Sequence, residues 1–286
     1  MATPVLSPLY HHFQANMNPP RHTKVAELMA PKPRHAPPPP SSVANKPHTT
    51  ATTTSSFAGR DGLGAYIADP ASFPASRVIY HSESFVAIHD LYPKASVHAL
   101  LLPRSPALGA QHPLDALSAP DGAFLAAVRA ELPRLVALVA AELQRRFGRY
   151  SRQDAAREAV LSGEAEAEAG GDGGGGELPP GRDWAAEVRV GVHAHPSMSH
   201  LHVHVLSRDM HSPCLKHRKH YNSFNTPFLV DVADFPLAAD DPRRHPGREG
   251  YLQSDFRCWR CGRTFGNRFK ALKEHLEVEF EEWKRE

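Results

Sequence analysis

The stretch His193-Ala-His-Pro-Ser-Met-Ser-His200-Leu-His202-Val-His204-Val-Leu206 constrains this chain more than any other. A β-strand sends successive side chains to opposite faces, so a strand over His200–Leu206 puts His200, His202 and His204 on one face. Leu201, Val203 and Val205 then point into a core. Three imidazoles on one face can be read in three ways: as histidines of a solvated or satisfied face, as a metal site, or as a nucleophile with its helpers. A metal site would lack a nearby acid to orient its ligands. The nucleophile reading accounts for more of the surrounding sequence. An imidazole with a pKa near 6.5 is largely neutral at physiological pH and attacks phosphorus without first losing a proton. Pro196, Ser197 and Ser199 suggest a turn offering hydroxyls and amides to the same anion, and His193 stands across that turn over a leaving group.

The surrounding sequence predicts an α+β domain. A short helix over Leu63–Ala68 stops at Asp69-Pro70, and β-rich runs follow at Arg77–His81, Phe85–His89 and Val97–Leu102. Phe124, Val128, Leu132, Leu135, Val139 and Leu143 recur at helical spacing, with Pro133 as a kink or restart. Strands at Glu187–His193 and His200–Leu206 bring the count to five, in an antiparallel sheet with helices on one side.

Composition sets the limits of this domain. Residues 1–57 hold eleven prolines and end in a Thr/Ser-rich stretch, a composition expected to stay disordered, and the prolines argue against a transit helix. Residues 163–181 carry eight glycines, five acids and no base, as a flexible insertion turned away from any anionic ligand. The catalytic domain is therefore expected over 58–235 and a basic linker with a metal-stapled module over 236–286. No apolar run reaches the roughly 18 to 20 residues of a membrane span, and no secretory signal is evident, so a soluble protein is expected. Three cysteines make no disulfide framework and point to a reducing, intracellular compartment.

Lys plus Arg number 33 against 31 Asp plus Glu, so bulk charge identifies no nucleic-acid partner. Locally the balance changes. Residues 243–273 hold nine Lys/Arg and only Glu249 and Asp255 as acids. Cys258-x2-Cys261, thirteen residues, then His275 is close to zinc-finger spacing. Glu279, one helical turn beyond His275, would supply the fourth ligand. The plainer alternative is a pair of buried thiols. Arg257, Arg260, Arg263, Arg268, Lys270 and Lys273 offer phosphate contacts without a base-reading code, although each could be an ordinary solvated charge.

Over residues 59–286 the chain resembles the histidine-triad superfamily and, within it, the aprataxin-like enzymes. The resemblance rests on Asp90-Leu-Tyr-Pro-Lys94, the His193-to-Ser199 segment, the triad, Ser212-Pro-Cys-Leu-Lys216 with Lys219-His-Tyr-Asn-Ser-Phe-Asn-Thr, and the terminal finger. It implies that His202 is the nucleophile, forming an adenylated histidine that water resolves, with His193 assisting the leaving group and His200 and His204 completing the triad. It places Asp90 by the ribose, and Lys94, Ser197, Met198 and Ser199 by the nucleotide and its phosphates. Without it, Asp90 reads as a turn acid and Lys94 as a surface cation. It further implies DNA contacts at Lys216, Lys219, His220, Arg263, Arg268 and Lys270, with Phe57 or Tyr66 as an end-stacking wedge, a core role for Tyr66 being equally open. The Cys258, Cys261, His275, Glu279 arrangement resembles the fungal type, with structural zinc and no metal in the catalytic site. A Pro-rich arm stands where vertebrate forms carry a forkhead-associated domain, so phosphopeptide partners are not expected.

The expected activity is removal of AMP from adenylated 5′ ends of DNA at nicks, double-strand ends or RNA–DNA junctions, in the nucleus. Two alternatives remain at this point: a general dinucleotide hydrolase or nucleoside phosphoramidase, and a non-catalytic zinc-finger protein that binds nucleic acid.

Overall fold

The computed structural model describes residues 59–166 and 177–286. The arm expected at 1–57, with Phe57, and residues 167–176 of the Gly-rich insertion lie outside the described residues.

Helix α1 (Gly64–Ala68) stops before Asp69-Pro70 because proline cannot extend it. Strands β1 (Val78–His81), β2 (Phe85–His89) and β3 (His98–Pro103) follow, each antiparallel to the next. Two short helices, α2 (Pro106–Gly109) and α3 (Pro113–Leu117), both begin on proline, whose fixed φ and missing N–H suit the first helical position. The long helix α4 (Ala123–Phe147) runs without interruption through Pro133, where a kink or restart was expected. Pro133 is exposed, so water can serve the carbonyl left without a helical donor.

A further helix, α5 (Arg152–Leu161), starts at Ser151, whose Oγ accepts from Asp154 N at 3.3 Å. It buries none of its own residues, so no apolar stripe announces it in the sequence. Its Asp154 ties down the far end of the insertion, accepting from Arg182 N at 2.9 Å and Trp184 Nε1 at 2.8 Å.

Strands β4 (Val188–His193) and β5 (Val203–Ser207) pair antiparallel; α6 (Arg218–Asn225) and β6 (Leu229–Asp231) follow. The sheet order is β1-β2-β3-β5-β4-β6, antiparallel throughout. It has six strands where five were expected, because three-residue β6 is too short to show alternation. Gly191 lets β6 close in: a Cβ there would lie 2.7 Å from the Val230 carbonyl oxygen.

Alternation along the strands divides the sheet into two faces. Ala87, Ala99, Leu101, Val203 and Val205 pack with Val128, Leu135, Val139 and Leu143 of α4 in the main core. Each of the fully buried Val and Leu side chains contributes roughly 1.5–3 kcal/mol. The opposite face is not left to water. Leu63 and Tyr66 cover Val86, Ile88, Leu100 and Leu102, while Leu206 packs with Tyr221, Phe224, Phe256, Phe265 and Leu272. The chain thus covers both faces, with helices and finger on the side the sequence left open.

The carboxy-terminal segment contains α7 (Pro246–Glu249), the hairpin β7 (Phe256–Arg257) with β8 (Thr264–Gly266), and α8 (Phe269–Trp283). Phe280 and Trp283 of α8 join the main core, and Phe147 meets their rings edge-on at 5.5 and 5.6 Å. The Arg182 guanidinium lies over Trp184 and Trp283, donates to the Trp283 carbonyl at 2.6 Å, and pairs with Glu187 at 3.0 Å. Beyond α8, the carbonyls of Arg285 and Glu286 accept from the N–H groups of Arg152 and Gln153, which open α5.

Candidate active site

On the face opposite α4, a cavity of about 730 Å³ opens between α1, the β2–β3 turn, the segment before β5, and α6. His193, His202 and His204 line it with Asp90, Lys94, Ser197, Met198, Tyr66, Lys219 and His220. Most of the expected site is therefore assembled in one place.

His200 is the exception within the triad. Regular strand begins only at Val203, so alternation holds for His202 and His204 but does not extend back to His200. The His200 ring leaves the cavity and packs against α1, where a Cβ on Gly64 would lie 3.1 Å from it. Its backbone carbonyl does the work instead, lying 2.7 Å from Nδ1 of His202. A carbonyl only accepts, so His202 Nδ1 carries the proton and Nε2 keeps its lone pair.

A second chain of bonds fixes His204. The Lys94 backbone N–H donates to His98 Nδ1 at 3.1 Å, which leaves the His98 proton on Nε2. That nitrogen is 3.0 Å from His204 Nδ1, so His204 in turn carries its proton on Nε2. The Asp90 carboxylate lies 3.3 Å from His98 Nδ1, a site the Lys94 N–H already fills. Asp90 also accepts from Tyr92 N at 2.8 Å, so it is a turn acid as well as a wall of the cavity. Asp90, His98 and His204 are close enough together to gather round a cation, but the 3.0 Å between the two imidazoles is a hydrogen-bond distance.

His98 was missed by the sequence reading. It stands alone in Ser-Val-His-Ala-Leu, and its role depends on β3 lying beside β5, with Leu100 opposite His204. Phe224 of α6 was missed too. Its ring meets His98 at 5.4 Å, His204 at 5.0 Å and His193 at 4.7 Å, sealing the imidazoles from water. The available signal was the helical offset of Phe224 from Tyr221 and His220 in a motif already singled out.

Burial sets the charge state. It pushes His202, His193 and His204 below the usual imidazole value, and His98 down to about 4. On His202 the His200 carbonyl partly opposes this. Burial also lowers Lys94, with the Asp90 charge opposing. Lys94 Nζ donates to the Tyr92 carbonyl, at the mouth of the cavity. The result is a cluster of neutral imidazoles beside one partly desolvated ammonium, suited to a phosphorus centre carrying negative oxygens.

Five other expected contacts are not in the cavity wall. Ser199 spends its N–H on the Arg60 carbonyl at 2.9 Å, and Lys216 is exposed, its N–H donating to His220 Nδ1. Arg263, Arg268 and Lys270 sit on the finger: Arg263 over Phe265, Arg268 on the Phe265 carbonyl, and Lys270 beside Glu274. None of the three reaches the imidazoles. Tyr66 lines the cavity and also packs its ring 4.4 Å from Phe73, combining the core and ligand roles left open above.

The finger gathers its own constellation. Single ligand atoms of Cys258, Cys261, His275 and Glu279 all lie within 4.8 Å of one another. Cys261 Sγ is 3.1 Å and Glu279 Oε1 is 3.0 Å from His275 Nε2. Glu279 is buried, and Arg260 Nη1 holds its second oxygen at 2.6 Å, an outer partner that orients the ligand oxygen. Two thiols, an imidazole and a carboxylate converging on one point fit structural zinc. Glu277 turns elsewhere, to His211 Nε2 at 2.8 Å.

Comparison with known proteins agrees with this geometry. Residues 74–211 match the HIT domain family, and residues 225–282 match the C2HE / C2H2 / C2HC zinc-binding finger. The chain is 33% identical over 228 residues to an aprataxin-like protein of Schizosaccharomyces pombe, covering 78% of this chain and 82% of that one. It is 31% identical over 225 residues to an aprataxin-like protein of Saccharomyces cerevisiae, covering 77% and 95%. Among solved structures, the aprataxin ortholog Hnt3 from Schizosaccharomyces pombe superposes with a TM-score of 0.60 at 29% identity, covering 79% of this chain and 95% of that one. Hnt3 in complex with DNA and guanosine superposes with a TM-score of 0.58 at 31% identity, covering 78% and 96%.

Proposed function

The chain belongs to the aprataxin-like proteins, a histidine-triad domain joined to a C2HE finger, and from that premise we propose that it removes AMP from adenylated 5′ ends of DNA. The observation that carries the reading is the tautomer of His202, whose Nδ1–H is held by the His200 carbonyl so that Nε2 presents a lone pair to the cavity. DNA as the bearer of the adenylate is supported by the solved complex of Hnt3 with DNA.

In the proposed reaction, His202 Nε2 attacks the phosphorus of the AMP moiety. The bond to the bridging oxygen of the 5′,5′-pyrophosphate breaks, and the strand leaves with a 5′-phosphate. His193 faces the leaving oxygen. Lys94 and the His204 Nε2–H meet the non-bridging oxygens as charge develops on them. Water then attacks the histidine-bound phosphorus, giving AMP and free His202. The seal made by Phe224 keeps the imidazoles neutral until substrate enters. A DNA substrate makes the nucleus the expected place of action, checked by imaging of the endogenous protein.

The direct test is incubation with a 5′-adenylated nicked duplex, with product sizing and detection of AMP. The expected products are AMP and a ligatable 5′-phosphate, with at least a thousandfold loss in His202→Ala. An intact duplex, alongside rapid hydrolysis of a small adenosine phosphoramidate, would instead identify a general nucleoside phosphoramidase.

A further inference from the structure

Helix α6 stands between the imidazole cavity and the finger, and its residues serve both. Successive helical residues turn by about 100°, so Arg218, Tyr221 and Asn222 share one face while Lys219, His220, Ser223 and Phe224 share another. The second face lines the cavity. The first grips the segment that leads into the finger. Arg218 Nη1 donates to the carbonyls of Gln253 and Ser254, both at 2.8 Å, and Asn222 Nδ2 to those of Leu252 and Ser254, at 3.3 and 2.7 Å. Tyr221 Oη donates to the Arg257 carbonyl at 2.8 Å and accepts from the Trp259 N–H at 3.0 Å. Every one of these bonds ends on a backbone group, so together they set the height and rotation of the helix more closely than apolar packing alone would.

That precision has a use on the cavity side. Strand β4 fixes the backbone of His193 by pairing it with Leu229 of β6, but the ring can still turn about its side-chain bonds. The Ser223 carbonyl settles the ring by accepting one of its N–H groups. His193 Nε2 is buried with no partner among the described residues, so the donor is Nδ1, and Nε2 is left for the reacting groups in the cavity. Phe224, the next residue, meets the same ring at 4.7 Å. Asn222 immediately precedes this pair and, at 1% exposure, is too buried for water to take over its two carbonyls. One of those carbonyls belongs to Leu252, itself part of the cavity wall.

We propose that Asn222 is a positioning residue of the triad site: by holding the Leu252 and Ser254 carbonyls it fixes α6 in the one setting that orients the His193 ring. It acts through Ser223 and Phe224 and touches no reacting atom. The reaction it serves rests on the functional reading above; the seating of His193 does not. A misplacement of about 1 Å costs up to about 100-fold in rate, so a loosened α6 is felt in turnover even on a substrate too small to touch the finger.

The test compares the native zinc-loaded full chain with Asn222→Asp, which keeps the shape of the side chain but offers the two carbonyls no N–H. The substrate is a small adenosine phosphoramidate. Isotope-labelled histidine rings report on His193 by NMR, its signal assigned by its loss in His193→Gln. In Asn222→Asp, kcat should fall about 10- to 100-fold with KM within about twofold of native. Zinc content should be unchanged, while the His193 Nδ1–H signal should shift and exchange faster with water. Arg218→Met loosens the same grip from a half-buried position and carries both readouts if Asn222→Asp fails to fold, with an expected loss in kcat of about three- to tenfold. An unchanged His193 signal in a folded, zinc-loaded variant overturns the proposal whatever the rate, and leaves Asn222 as a joint between finger and sheet. If the native protein hydrolyses neither the phosphoramidate nor adenylated DNA, the functional reading falls, and the ring signal alone decides the seating of His193.

Discussion

At the scale of single residues, the chemistry depends on where two protons sit. His98 places one of them. It takes the Lys94 N–H on Nδ1 and hands its own Nε2 proton to His204, so it acts through His204 and touches no reacting atom. His98→Gln, whose amide N–H₂ can still reach His204, should retain more turnover than His98→Ala, where the loss should be about 10 to 100 times. The fall should appear in kcat more than in KM, since positioning is required in the transition state. Equal kinetics for the two variants would assign His98 to packing alone. The triad was legible because period-two alternation is local, and Cys258-x2-Cys261 because spacing is local. His98 was not, since its partner is 106 residues away and is brought to it by strand pairing. His200 was misread for a related reason: alternation was extended three residues beyond the start of regular strand at Val203.

Among the elements, α8 has two tasks on two faces. His275 and Glu279, one turn apart, face the thiols, while Phe280 and Trp283 enter the main core. Glu277 is on neither face and holds His211, whose ring stacks on Phe280 at 3.9 Å. Glu279→Ala should therefore lower zinc occupancy at least tenfold in a chelator competition, with Glu277→Ala close to native. Equal effects would move the fourth ligand elsewhere. The sequence supplied the four ligands by spacing but not the seat of the finger. Trp283 is 101 residues beyond Arg182 and its neighbour Trp184, and no pattern within either segment marks the stack they form.

For the whole molecule, the buried imidazoles tie stability to pH. His98 stays neutral in the folded protein down to about pH 4, whereas in the unfolded chain it takes up a proton near 6.5. Between those values the unfolded state binds more protons, so the contribution is fully present above about pH 6.5 and is lost as pH falls towards 4. For His98 alone it is on the order of 3 kcal/mol, and burial lowers His193, His202 and His204 in the same direction. Urea titrations should show stability declining steadily from pH 6.5 to 4, with a shallower decline in His98→Gln; a flat profile would mean that the imidazoles are hydrated. The fold class was readable because the first five strands and the long helix carried their own periodicity, whereas the joining of finger to sheet was encoded only at a distance. That distance also has a meaning in time. The opening turn of α5 depends on the carbonyls of Arg285 and Glu286, and Ser151 is 135 residues upstream of its partner in that contact. At about 5 to 20 residues per second, a nascent chain leaves that turn unfinished for on the order of ten seconds. The imidazole pocket has little head start on that closure, because its lining runs on to Leu252 and is complete only about two to seven seconds before Glu286 is made.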